Sequence, residues 1–382
     1  MLGLEVEYLH KLASLLSTRQ SWEGLVLQGL DLRAHTEELL RLPVKGALFL
    51  GCEMEPQALQ HCFLQGALIF PKLSGMPFDP YRGHLYTVAE LYAGFDPQDP
   101  ASYKSTLDAQ VYDHWHRTGK DDPDSMHETL ARRLHDLAVT DAIQELLKHG
   151  DQPWRVIAIM GGHGLSRAAP TYRSAAWIAR ALTRQNFLMA SGGGPGAMEA
   201  THLGAYLAPF PDEALDEALA LLATAPKYTD PRWLSAAFEV RARFPLSSED
   251  AARHPSLGIP TWLYGHEPPN AFATHIAKYF ANSVREDGLL AIATYGVVYA
   301  PGSAGTIQEI FQDACQNHYK TVGVVSPMVF LDRDYWTRQK PVYPLLEQLA
   351  QGHDYARYLS LHDDPQEVLD ALLRYAEERA AG

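Results

Sequence analysis

Residues 156–200 read VIAIMGGHGLSRAAPTYRSAAWIARALTRQNFLMASGGGPGAMEA, and this stretch decides the fold. Residues 156–160 are an unbroken apolar run of strand length, closed by Gly161-Gly162-His163-Gly164. A helix is expected over 172–182, followed by a second apolar run at 187–190. Gly192, Gly193, Gly194, Pro195 and Gly196 close that run, and a further helix starts at Ala197. Strands that are apolar on both faces need cover on both faces. Alternation of such strands with helices therefore predicts a parallel sheet between helical layers.

Working outward toward the carboxyl terminus, strand character returns at 260–264, 296–300 and 321–331, and 364–380 makes a final amphipathic helix. Residues 210–256 are helical, acidic and punctuated by proline, the pattern of an insertion. Toward the amino terminus, 44–51 and 67–71 read as short strands flanking a helix at 55–65. The polar stretch 74–122 is assigned no regular structure, and Tyr81, Tyr86 and Tyr92 in it read as packing residues. Ser125-x-x-Glu128 is a capping box opening a helix, with Met126, Leu130, Leu134, Leu137, Ile143, Leu146 and Leu147 as its apolar positions. Gly150 stops that helix, and Asp151-Gln152-Pro153 marks a boundary. The expected fold is α/β: a Rossmann-like doubly wound parallel sheet over 151–382 with an additional N-terminal α/β accessory segment over 1–150. A length of 382 residues suits two domains.

The net charge is −14, with no basic surplus in either part: residues 1–150 carry 13 Lys and Arg against 21 Asp and Glu, and the rest 19 against 25. A nucleic-acid polymer or a membrane surface would be held by surplus cations, so neither is an expected partner. Cys52, Cys62 and Cys315 have no metal-ligand spacing and fit a reducing compartment. Residues 1–14 read as an amphipathic helix without a basic leader, and no apolar run is long enough to span a bilayer. These features predict a cytoplasmic protein.

Three loops carry the chemistry: 161–164, 192–196 and Pro301-Gly302-Ser303-Ala304-Gly305-Thr306. Each follows an expected strand and enters a helix. Glycine lets backbone approach an anion, and a helix amino terminus offers N–H groups and positive partial charge. Three such loops at one sheet edge point to a phosphate-bearing ligand. Gly192-x-Gly194-x-x-Ala197 also fits a dinucleotide fingerprint, with Asp212 about 20 residues on. That acid opens a helix instead of ending a strand, and the loop follows the second strand, so a nicotinamide cofactor is disfavoured.

Glu309 is open to two readings, a helix cap in Thr306-x-x-Glu309 or a carboxylate beside the ligand. Ile307, Ile310, Phe311, Ala314 and Cys315 are the expected buried face of its helix, from which Glu309 points away. Arg285 reads alone as a surface ion-pair residue. Glu199 sits where a helix dipole explains it, Glu267 and Asn270 either line a base pocket or end a loop, and Asp113-His114-Trp115-His116 lacks a third metal ligand.

Taken together, these residues resemble the LOG ("Lonely Guy") phosphoribohydrolases over roughly residues 153–378. The family's GGGPGxMEA loop is matched by Gly192 to Ala200, GGGPGAMEA, and its PGGxGTxxE loop by Pro301 to Glu309, PGSAGTIQE. The family arginine is matched by Arg285, and the early Gly-Gly-Ser turn by Gly161-Gly162-His163. Ser303-Ala304 and His163 depart from the pattern. The resemblance is greatest to long bacterial members that are nucleotide 5′-monophosphate nucleosidases.

The resemblance implies hydrolysis of the N-glycosidic bond of a nucleoside 5′-monophosphate such as AMP, without metal or cofactor, in a homodimer or larger homo-oligomer. It implies Glu309 and Arg285 as catalytic residues. Gly162, His163, Gly192, Gly193, Gly194, Gly196, Met198, Glu199, Asn270, Gly302, Ser303, Ala304, Gly305 and Thr306 would hold the substrate. The rival reading is a non-catalytic nucleotide-binding sensor or carrier. A pyridoxal-phosphate lysine decarboxylase would need a Schiff-base lysine, and lysine is scarce near the glycine loops.

Overall fold

A computed structural model describes residues 4–149, 152–265 and 268–381. In chain order the first elements are β1 (Leu4–Val6), α1 (Leu9–Thr18), β2 (Leu25–Gln28), α2 (Thr36–Arg41), β3 (Leu48–Leu50), α3 (Pro56–Leu64) and β4 (Leu68–Phe70). After them come α4 (Val88–Leu91), α5 (Leu107–Arg117), α6 (Met126–Leu147), β5 (Lys148–His149), β6 (Gln152–Pro153), β7 (Arg155–Met160), α7 (Pro170–Arg184), β8 (Phe187–Ser191) and α8 (Ala197–Tyr206). The chain continues through α9 (Glu213–Leu222), α10 (Trp233–Arg243), α11 (Ser248–Arg253), β9 (Ser256–Gly258), β10 (His275–Ile276), α12 (Asn282–Ile292) and β11 (Val297–Tyr299). It ends with α13 (Ala304–Tyr319), β12 (Met328–Leu331), α14 (Val342–Ala350), β13 (Leu359–His362) and α15 (Pro365–Ala381).

The chain forms two compact units, Met1–Leu85 with His114–Leu146, and Tyr86–Asp113 with Leu147–Gly382. The larger unit thus takes in residues 86–113 as well as the carboxyl-terminal region. In the smaller unit, four parallel strands in the order β1-β2-β3-β4 enclose a core with Trp22, Leu27, Phe49 and Cys62 fully buried. The amino terminus forms a strand before its helix, so the single helix expected over 1–14 is corrected: Leu4–Val6 pairs with β2. All three cysteines are free.

The α6 helix is capped as expected, Ser125 Oγ accepting from the Glu128 N–H at 3.2 Å, and the expected apolar position Ile143 is buried, but much of the expected apolar face is not. Met126, Leu130 and Leu137 are exposed, while Glu128, Arg132, His135 and Asp136 are buried with Ala131, Val139 and Ala142. The polar groups go inside because they satisfy one another. Glu128 accepts from Arg132 Nε at 2.8 Å and lies 3.0 Å from His114 Nε2. His114 is thereby engaged with a carboxylate. Gly150 and Asp151, expected to stop the helix and mark the boundary, lie outside the described residues.

The stretch 74–122 is not irregular. It holds α4, a 3-10 turn at Pro100–Ser105 and α5. Short side-chain caps start them: Thr87 Oγ1 accepts from Glu90 N–H at 3.2 Å, and Asp99 Oδ1 from Ala101 N–H at 3.1 Å. Asp108, on α5, forms a fully buried ion pair with Lys278 at 2.5 Å. Tyr103 Oη donates to the same carboxylate at 2.6 Å, and the Lys278 ammonium lies 4.0 Å from the Trp262 ring centroid.

The main sheet of the larger unit has seven strands in the order β10-β9-β8-β7-β11-β12-β13, all parallel. Every residue of β8 and all but the first of β7 are buried, as a sheet covered on both faces requires. Helix α7 packs on α8 and α15, and α13 on α12 and α14. This is the Rossmann-like, doubly wound α/β fold. The chain runs outward from β7 to β10 and returns beside β7 at β11, which places the topological switch point between β7 and β11. Among the described residues no helix is long and apolar enough to cross a membrane.

Two strand expectations are corrected. Residues 260–264 form no strand beyond an isolated parallel bridge of Thr261 to Tyr279; the neighbouring strands are β9 and β10. Residues 321–327 are also a turn, with Lys320 and Gly323 at positive φ, so β12 begins only after Pro327. The 210–256 segment is helical, as expected, in α9, α10 and α11.

Candidate functional site

The register of the sheet builds the site. Met160 pairs with Tyr299, and Ala158 with Ala190, so the loops after β7, β8 and β11 leave the sheet at one level. In open α/β sheets the crevice beyond the strand carboxyl ends, at the switch point, is where ligands sit. Gly162 stitches the loops together: its N–H donates to Pro301 O at 3.0 Å, and its carbonyl accepts from Ala197 N–H at 3.3 Å. Gly196 makes this closeness possible. Its φ is +73°, and a Cβ there would fall 2.3 Å from Gly162 O.

The three loops line a cleft of about 860 Å³. Gly162, His163, Gly192, Gly193, Gly194, Met198, Arg285, Gly302, Ser303, Ala304, Gly305, Thr306 and Glu309 all face it. The N–H groups of Ala304, Gly305 and Thr306 begin α13, where no earlier helical carbonyl can accept them. Gly302 is required by packing: a Cβ there would lie 2.1 Å from Thr306 Oγ1.

The cap reading of Glu309 is corrected. Helix α13 starts at Ala304, so Thr306 is its third residue and Glu309 its sixth, and no side chain caps the helix. Its buried face is Thr306, Ile310, Asp313, Ala314 and Asn317, turned from the expected apolar stripe, and Cys315 is exposed. Glu309 itself is largely buried in the cleft wall, 3.4 Å from Arg285 Nη1. Burial pushes its carboxyl up to about 7, with Arg285 pulling it down and Glu286 pushing it further up. Behind it, Asp313 is also pushed up to about 7 by burial, and accepts from Tyr299 Oη at 2.7 Å.

Arg285 comes from α12. Asn282 Oδ1 accepts from its Nη2 at 3.0 Å, and Glu286 lies 3.7 Å away. Its Nε is buried without a partner, an unsatisfied donor at the edge of the cleft. Thus a guanidinium and a carboxyl of raised pKa meet beside the anion-type loop.

Three expected site residues stand behind the cleft. Gly196 supports the Gly162 joint. Glu199 is fully buried, held by Arg167 through two bonds at 2.5 and 2.8 Å, and accepts from Tyr172 Oη at 2.9 Å. Asn270 is buried too; its N–H and Nδ2 both donate to Gly193 O, at 2.7 and 3.0 Å, which braces the second loop. His266 and Glu267 lie outside the described residues.

Sequence reasoning missed other cleft residues: Tyr228, Thr261, Tyr264, Glu286 and Tyr335. Tyr335 opens a π-helical turn (Tyr335–Gln339) and donates through its hydroxyl to Gly302 O. After that turn, Lys340 Nζ donates to Ser303 Oγ at 3.0 Å. A lysine therefore does reach the third loop, from 37 residues downstream. Only the departure of Ser303 from glycine signalled that this loop has a side-chain partner.

No family model matches the chain, and no curated protein does. Among solved structures, it is similar to the molybdenum cofactor binding protein from the phototrophic bacterium Rippkaea orientalis. That match has 14% identity, a TM-score of 0.36, and covers 59% of this chain and 98% of that one. It is also similar to the molybdenum cofactor carrier protein MCP from Chlamydomonas reinhardtii, at 13% identity, a TM-score of 0.37, and 59% and 99% coverage.

Proposed function

We propose that the chain is a member of the LOG-type phosphoribohydrolases that binds a nucleoside 5′-monophosphate in this cleft and hydrolyses its N-glycosidic bond. The observation that carries the reading is the Arg285–Glu309 pair, 3.4 Å apart, set beside three glycine loops at the switch point. The 5′-phosphate sits on the N–H groups that open α13. Arg285 supplies positive charge and planar N–H donors beside the site. As the C1′–N bond breaks, the base leaves with the electron pair and positive charge grows on the sugar. The Glu309 carboxylate offsets that charge and orients a water, whose hydroxyl goes to C1′ and whose proton reaches the base.

A second reading, a protein that carries its ligand without cleaving it, is favoured by room. The cleft's 860 Å³ lies near the top of the range of about 300–1,000 Å³ for ligand pockets, leaving space beyond a mononucleotide. Incubation with AMP, CMP, GMP and UMP, followed by chromatography for free base, decides between them. Base release that is lost in Glu309→Ala and Arg285→Ala is the expected result. Tight nucleotide binding with no release would overturn hydrolysis and leave carriage.

A further inference from the structure

The helical segment 210–256 is an interruption of the sheet-and-helix pattern, yet it sends one ring into the cleft. Tyr228 lines it, edge-on to His163 of the first glycine loop, with ring centroids 5.6 Å apart and planes at 81°. The cleft is lined besides by glycine backbone, charged groups, the apolar Leu165, Met198, Ile259 and Pro260, and two further tyrosines, Tyr264 and Tyr335.

The chain invests heavily in holding Tyr228 there. Arg167, buried at 3% exposure, donates from its N–H to Pro226 O at 3.0 Å and from its guanidinium to Ala225 O at 3.3 Å and Trp233 O at 2.9 Å. The guanidinium also stacks 4.6 Å over the Trp233 ring, while Glu199 neutralises it from the first turn of α8. Between these anchors, Lys227 N–H donates to Asp230 Oδ2 at 2.8 Å and closes the turn around Tyr228. One buried arginine therefore joins the first loop, the second loop's helix and both flanks of Tyr228. A residue fixed this way meets a ligand with little further loss of freedom.

We propose that Tyr228, with His163 edge-on beside it, is the specificity-determining wall that recognises the planar heteroaromatic ring of the ligand. The proposal rests on the phosphoribosyl reading above and assigns the ring-binding role to the insertion. A flat tyrosine face accepts one- or two-ring bases alike by stacking, and gives nothing to a ligand that lacks a ring.

The test is equilibrium binding of AMP and of ribose 5-phosphate to the full chain carrying Glu309→Gln in every arm, so that no ligand is consumed. Tyr228→Ala is expected to weaken AMP roughly 5- to 100-fold and to leave ribose 5-phosphate within about twofold. Tyr228→Phe and Tyr228→Trp, which keep a flat ring, are expected to retain AMP affinity. A Tyr228→Ala protein that binds AMP as its parent does, or that loses both ligands equally, would overturn the proposal while the phosphoribosyl reading stands. A parent that binds neither ligand would remove that reading, and this inference with it.

Discussion

The corners β8–α8 and β11–α13 are built to one plan. Each runs from a buried strand through a glycine loop into a helix, with a glutamate one or two turns on and an arginine facing it. Their glutamates end in opposite situations. Glu199 has no exposed surface, two short bonds to Arg167 and a third from Tyr172. Glu309 stands in a cleft wall, 3.4 Å from one nitrogen of an arginine whose Nε has no partner. The first carboxylate is saturated and holds loops together. The second is held short of saturation and sits where a ligand can reach it. On the proposed function, what separates scaffold from chemistry here is the number of hydrogen bonds left unmade.

The largest expected effects come from exchanging each glutamate for its amide. Glu309→Gln should lower base release by about 10²–10³-fold, as removal of one transition-state-stabilising group does, while thermal unfolding stays near the parent or rises. Glu199→Gln should instead cost about 3–5 kcal/mol of stability, because it leaves Arg167 buried and uncompensated. Calorimetry and base release, measured on both variants, check this crossing pattern. Equal loss of stability in the two would break the comparison.

The raised Glu309 carboxyl gives a second handle. In the proposed cleavage the carboxylate is the acting form, so base release should rise with pH through about 7. Stability should move the other way. The folded value is about 7 against 4.5 for the free group, so the unfolded chain gives up its proton first. The folded state is then penalised as pH rises across that window, by about 3 kcal/mol once complete. Asp313, also near 7, acts in the same direction, so the readout is the difference between parent and Glu309→Gln in pH-dependent unfolding. A variant with the parent's pH slope would place the titration elsewhere.

A smaller effect tests the loop itself. Lys340→Met should weaken AMP binding several-fold, of order 1 kcal/mol for a partly exposed charge, and flatten its salt dependence. Ser303→Gly, which keeps the backbone donors, should change affinity less still. Titration at two salt concentrations measures both.

Much of this arrangement is legible in the chain. The three glycine loops announce themselves because at Gly161, Gly193, Gly196 and Gly302 close approach leaves no room for a Cβ. Residues 156–160 and 187–190 are legible as strands because both of their faces are buried. Arg285 and Glu309 emerge once the loop motifs set the frame. What stays hidden depends on distant partners. The burial of Glu199 is decided by Arg167, 32 residues upstream, and the polar interior face of α6 by His114 reaching Glu128. Tyr228 lies in an acidic helical stretch, where its local sequence does not separate it from a solvent-facing tyrosine.

The Asp108–Lys278 pair limits how the chain can be divided. Lys278 is fully enclosed, and its carboxylate partner comes from 170 residues earlier in the sequence. A truncated chain beginning at residue 151 keeps the ammonium and discards its counter-charge, stranding a cation against Trp262. Residues 86–113 and the seven-stranded sheet are accordingly one heritable piece. Domain exchange that parts them is expected to destabilise the sheet by leaving Lys278 buried without its carboxylate, whereas cuts that keep both leave the pair intact.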